Sequence, residues 1–169
     1  MSHALKFLLQ PLAKINPTTA FSRLIEVACN LADMCWHEHS DMRGDLAARR
    51  ILGLPVNCMT HKERVWLGVA LYYRYVGTKQ NKPRPEELDS LLGTRSRAEA
   101  VTIGLALRFA LIFAAGTTGS LRDIRFELDD KFLSVHVKKS AQSLFDGACA
   151  NRFKMLAHSA HRQPKVFLN

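Results

Sequence analysis

The 169-residue chain has little of what marks several large functional classes. Its four cysteines, Cys29, Cys35, Cys58 and Cys149, form no Cys-x-x-Cys pair and no zinc-ligand spacing. They read as buried, reduced thiols of a cytoplasmic protein. Cys29 and Cys35 stand six residues apart, on different faces of one expected helix, and cannot bridge. Aromatic residues make up 8% of the chain and mostly fall at core spacing, so no stacking platform for single-stranded nucleic acid is visible. The longest apolar run, Ala98 to Gly119, carries Glu99 and Arg108 and ends in Gly116-Thr117-Thr118-Gly119, which makes it a buried helix and not a membrane span. The opening MSHALKFLLQPLAKINP is broken by Lys6, Pro11 and Lys14 and lacks a small-residue cleavage site, so no signal peptide is expected. There is no Gly-rich phosphate loop, no internal repeat and no low-complexity run. No Ser or Cys stands beside an evident base, which removes support for nucleophilic catalysis.

What is present is globular material, 47% hydrophobic and 23% charged, which excludes a disordered or collagen-like chain. Acidic residues are scarce, 15 Asp+Glu against 24 Lys+Arg, and the net charge of +9 points to an anionic partner. The spacing predicts helices over residues 21–36, 42–53 and 61–75, a short one from Pro85 to about Leu92, and a long buried one from Ser96 to Ala115. Pro17-Thr18-Thr19 supplies a break and a cap for the first; Thr60 with Glu63 forms a capping box for the third, and Gly77 ends it. Leu121 to Leu128 and Phe132 to Val137 alternate around Asp129-Asp130-Lys131, a hairpin signal. Residues 140–160 return to helical spacing with Leu144, Cys149, Phe153, Leu156 and Ala157 inward, and Val166-Phe167-Leu168 suits a closing strand. The expected architecture is mainly α: a helical bundle over residues 1–119, followed by a small α+β appendage of ββαβ order over residues 120–169.

Charge is uneven along this plan. Residues 43–82 hold eight basic and two acidic groups, so an anion site is sought there. Arg43, Arg49, Arg50 and Arg64 belong to this stretch, as does Tyr72-Tyr73-Arg74-Tyr75 with Lys79 and Lys82 after it. Arginine suits bidentate phosphate contact and lysine a point-charge contact; the alternative is that they complement a helix C-terminus. Arg108, alone within TIGLALRFALIFAA, must pair with a buried carboxylate such as Asp33 or line a polar cleft. The densest ionisable cluster is Asp33, His37, Glu38, His39, Asp41, Arg43 and Asp45. A divalent metal on Asp33, His37 and His39 is one reading of it. The other is a polar connection in which Asp41 caps the second helix.

The runs ACNLADMCWHEHSDMRGDLA (residues 28–47) and THKERVWLGVALYYRYVG (residues 60–77) resemble the C-terminal, HD-like helical domain of the exopolyphosphatase/guanosine pentaphosphate phosphohydrolase (Ppx/GppA) family, nearest its alphaproteobacterial type. Asp33, Trp36, His39, Asp41, Arg43 and Gly44 match in the first run. His61, Arg64, Leu67, Ala70, Tyr72, Tyr73, Arg74, Tyr75 and Gly77 match in the second. The later GLALRFALIFAAGTTGSL, the hairpin, a helix with Asn151-Arg152 and the terminal strand follow the family's order. Cys35 departs from the usual Gly, and His37-Glu38 from the usual basic-small pair. Ala32 stands where HD-type phosphohydrolases keep a metal-binding His, so half of the adjacent His-Asp pair is missing.

The resemblance implies a degenerate HD-like bundle from a protein that hydrolyses terminal phosphoanhydride bonds of inorganic polyphosphate or guanosine pentaphosphate with magnesium. That chemistry is attributed to two N-terminal actin-like domains, whose phosphate loops and carboxylates this chain does not contain. This chain is then expected to bind no cofactor of its own, to be inactive alone, to help hold the polyanion and to help form a homodimer. Neither a membrane nor nucleic acid is an expected partner. Arg43, Arg74, Lys79, Arg108 and His39 are the expected anion contacts. The alternatives are a stand-alone metal-dependent HD phosphohydrolase and a basic nucleic-acid-binding or interaction module.

Overall fold

The structure, a computed structural model, describes residues 1–55, 58–78, 88, 90–115, 117 and 119–169. It contains α1 (Ser2–Leu9), α2 (Thr19–Leu31), α3 (Arg43–Gly53), α4 (His61–Val76), α5 (Thr94–Ala114) and α6 (Gly147–Ser159), with strands β1 (Ile124–Leu128), β2 (Phe132–Val137) and β3 (Gln163–Leu168). The chain is thus mainly α with a small C-terminal sheet, as its periodicity predicts. The helix expected at residues 85–92 lies largely outside the described residues, as does Lys79.

Several boundaries follow directly from local chemistry. Thr18 caps α2, its hydroxyl accepting from the Phe21 N–H at 3.2 Å. At α4 the Thr60 hydroxyl accepts from the Glu63 N–H and the Glu63 carboxylate from the Thr60 N–H, so the capping box is complete. Elsewhere the chain departs from its periodicity. The first helix stops at Leu31, not residue 36, and continues as tight turns through the Met34→Leu31, Trp36→Asp33 and Glu38→Cys35 backbone bonds. Met42, not Asp41, is the N-cap of α3, and no side chain caps it. The helix expected over residues 140–160 splits into a 3-10 segment, Lys139–Leu144, and α6, capped by Asp146. Leu144 therefore faces out at 37% exposure. The first strand begins at Ile124, after a 3-10 turn over Ser120–Asp123.

The long α5 is buried along most of its length and packs on α4 and α6. Its approach to α4 is very close at Gly104, where a methyl group would collide with the Ala70 carbonyl oxygen. The sheet order is β1-β2-β3, antiparallel between β1 and β2 (Phe126 opposite Val135) and parallel between β2 and β3 (Val135 opposite Val166). Parallel neighbours need a crossover, and α6 provides it. Phe109 of α5 joins bundle to sheet, with ring centroids 5.6 Å from both Phe126 and Phe153.

The N-terminal segment packs inward: Leu5, Leu8, Leu9 and Leu12 lie in the core, each at 1% exposure or less. Burying a leucine is worth about 1.5–3 kcal/mol, so α1 is part of this fold. Phe7 alone among the large apolar residues from Ala4 to Leu12 points outward, at 66%. Cys58 is likewise exposed, whereas Cys29, Cys35 and Cys149 are buried; all four are free thiols. No described helix is long and apolar enough to cross a membrane.

Candidate anion-binding site

Three of the basic residues singled out in the sequence, Arg43, Arg74 and Arg108, come together where the C-terminal end of α4 passes the start of α3 and the middle of α5. The last turn of α4 would leave carbonyl oxygens unsatisfied. Gly77, at φ +70°, turns the chain away there, and Arg108 enters from α5. Its Nη1 donates to the Arg74 carbonyl at 3.2 Å and to the Tyr75 carbonyl. The expected pairing of Arg108 with Asp33 is therefore not formed: a buried guanidinium is satisfied as well by helix-end carbonyls as by a carboxylate, and these two lie within its reach.

Asp33 pairs instead with Arg74, Oδ1 to Nη2 at 2.6 Å. The Arg74 guanidinium also lies 3.9 Å from the centre of the Tyr75 ring, and its buried Nε has no acceptor. Tyr75 fixes the turn after α2: its hydroxyl accepts from the Cys35 N–H at 3.0 Å and donates to the Ala32 carbonyl at 3.1 Å. Burial pushes the Tyr75 phenol up, keeping it a neutral donor. On that turn Trp36 packs under Arg43, whose guanidinium carbon is 5.4 Å from the indole centre. The Arg43 Nε donates to the Glu38 carbonyl at 2.8 Å.

The electrostatics show how crowded the cations are. Burial pushes the Arg108 guanidinium below its usual value, and the neighbouring charges of Arg152 and Arg74 push it further. Arg74 is lowered by burial first, with Tyr75 and Asp33 opposing and Arg43 adding to the shift. Arg152, on α6, is the residue the sequence reading missed. Its side chain donates to the Ala148 carbonyl at 2.9 Å. Of these cations Arg74 is ion-paired, with Asp33. The only signal for Arg152 in the sequence was a basic residue on an amphipathic helix; that α6 brings it to Arg108 is a tertiary fact.

The other candidates fall differently. His39 is exposed and turns to Asp41, with its Nδ1 accepting from the Asp41 N–H at 3.4 Å, and makes no bond to the arginines. Arg50 is taken by Glu38. Lys79 lies outside the described residues. Among the described residues no group of three His, Cys, Asp or Glu is placed to hold a metal ion, and Asp33, required for one, is held by Arg74.

A sequence model of the family described as exopolyphosphatase, C-terminal, matches residues 7–166. The chain belongs to that family. The match spans both motif runs, the end of α1, the other five described α-helices and most of the sheet, so the arginine cluster lies within a domain of this exopolyphosphatase family. No curated protein matches the chain by sequence.

Proposed function

We propose that this domain holds a phosphate polyanion, inorganic polyphosphate or guanosine pentaphosphate, for hydrolysis carried out elsewhere in a cytoplasmic, dimeric exopolyphosphatase of the Ppx/GppA type. The observation that carries the reading is the cluster of Arg43, Arg74, Arg108 and Arg152 with one paired carboxylate among them. Like charges crowd together at a cost, and a bound polyanion removes it. Among the described residues Arg108 bonds two carbonyl oxygens, both through one nitrogen, which leaves the rest of its fork for phosphate oxygens. Arg152 is committed to a single carbonyl. Lys79 and His39 are secondary contacts in this reading.

Magnesium belongs with the parent's catalytic domains. Among the described residues no group of three His, Cys, Asp or Glu stands together to hold it. The test is a titration of the purified chain with polyphosphate at low and high salt, with phosphate release followed in the same sample. Several neutralised phosphates give binding that weakens steeply with salt. Salt-sensitive binding without release is the expected result. Release would restore the metal-phosphohydrolase alternative at Asp33, His37 and His39. Tighter binding of DNA or RNA than of polyphosphate would favour the nucleic-acid module, and a dimer that binds no anion would leave an assembly domain.

A further inference from the structure

A cavity of about 400 Å³ lies near the other end of α4, away from the arginine cluster. That volume falls within the range of small-molecule sites. The first turns of α2, α4 and α5 stand around it, with Phe21, Leu24 and Leu92 as apolar walls and Lys62, Trp66 and Ser96 also on the lining. Trp66 is only 3% exposed, its ring set edge-on to Phe21 at 5.8 Å. Among the described residues no acceptor meets its buried Nε1–H. A buried donor without a partner is destabilising, so an orphan on the wall of a cavity points to an acceptor inside it. The start of α5 adds further donors. No side chain among the described residues caps it, and its first turn is closed by the Arg97 N–H bonding the Gly93 carbonyl at 3.0 Å, which leaves the amides of residues 94–96 without a helical partner. The carboxylates on the lining are already engaged, Glu63 by Arg23 and Glu99 by Arg95 and Asn16, the latter two at 3.1 Å.

We infer that this cavity binds a small apolar monocarboxylate. One carboxylate oxygen accepts from the Trp66 indole N–H, the other from the amides that open α5, and Lys62 adds its positive charge. The apolar body packs among Phe21, Leu24 and Leu92. A phosphate fits less well, because the oxygens turned toward those apolar walls would lose their water without gaining partners. An amine has no acceptor to offer the indole. The inference is independent of the anion-holding reading: Trp66 and Arg74 stand eight residues apart on one helix, a rise of about 12 Å.

The test uses the 169-residue chain carrying Trp36→Phe, in which Trp66 is the one remaining tryptophan. Its emission is followed while 4-methylpentanoate, 4-methylpentan-1-amine and inorganic phosphate are titrated separately at one ionic strength. The carboxylate is expected to shift the emission saturably, with a Kd on the order of 0.1–1 mM for so small a ligand. The amine and phosphate are expected to leave it unchanged over the same range. Lys62→Gln, at an exposed position, is expected to weaken the carboxylate roughly two- to fivefold. Ser96→Leu, which narrows the cavity from a half-buried position, is expected to abolish the response, with a thermal melt showing that each variant is folded. An equal response to phosphate or to the amine, or a carboxylate response that survives Ser96→Leu, overturns the inference. No response to any probe at about ten times that Kd overturns it too, and means that water alone meets the indole N–H. None of these outcomes bears on polyphosphate binding at the arginine cluster.

Discussion

Gly77 stands directly against Arg108: a methyl group on Gly77 would come 3.0 Å from the Arg108 Nε, and the backbone there sits at φ +70°. The glycine is required twice, once by the left-handed turn and once by the space the guanidinium occupies. Gly77→Ala is therefore expected to destabilise the chain by about 1–3 kcal/mol and to displace Arg108 from the α4 carbonyls. Urea denaturation measures the first effect. Polyphosphate affinity measures the second, and a variant with unchanged stability would contradict the account of this turn.

Tyr75 ties the Trp36 turn to the end of α4. Tyr75→Phe leaves the Cys35 N–H and the Ala32 carbonyl without their partner, a loss of about 1–3 kcal/mol for buried groups. For a chain of this size each kcal/mol lowers Tm by roughly 2–4 °C. Anion affinity is expected to fall with it, because Arg43 and Arg74 are both anchored to that turn. A thermal melt beside a binding titration checks both.

The thiols report on burial. Burial pushes both Cys29 and Cys149 up to about 12, so neither offers a reactive thiolate near neutral pH, and Cys35, at 1% exposure, is shielded from reagents. Cys58 is exposed. Labelling with an aromatic disulfide is expected to modify one thiol per native chain rapidly and the other three on unfolding. Rapid modification of two or more would contradict the packing of α2 and α6.

Acid stability should depend on Glu63. The Thr60 N–H, then the Thr60 hydroxyl and Arg23, hold its carboxyl below the ordinary value of 4.5. A carboxyl lowered on folding contributes stability that is present above its unfolded value and is lost as pH falls through the folded one. Urea midpoints are therefore expected to drop as pH is taken from above 4.5 to below it, and Glu63→Gln is expected to flatten that fall. Thr60→Ala removes the cap itself, at about 1 kcal/mol, and with it the hydroxyl that helps to lower the Glu63 carboxyl, so part of the pH dependence goes too.

Local chemistry was readable where neighbours in sequence are neighbours in space. The Thr60–Glu63 box, the α4 stop at Gly77 and the hairpin around Asp129 follow from spacing alone. The hidden parts are those that a distant element decides. Leu5, Leu8, Leu9 and Leu12 carry a helical spacing, but whether that face meets this core or another depends on where α1 docks. Arg108 announced itself as a buried charge, yet its partners are backbone carbonyls, and every residue has one. Arg152 was visible as part of a helix but not as a member of the cluster, because its importance comes from α6 lying across α5. Trp36 was visible as a motif residue; its exposure was not.

Arg152 also offers the most direct test of the cluster as a polyanion site, since it can be removed at the loss of one hydrogen bond to Ala148. The measurement is the salt dependence of polyphosphate affinity for the parent chain, for Arg152→Ala and for Lys138→Ala, whose lysine is already paired with Asp123 at 3.0 Å. If the guanidiniums hold the polyanion, Arg152→Ala binds more weakly with a log–log salt slope shallower by about 0.7–0.9, the change for one lost phosphate contact, and Lys138→Ala behaves as the parent. A slope unchanged by Arg152→Ala, or lowered equally by both substitutions, would mean that charge spread over the surface binds the anion and that the arginine cluster is not its site.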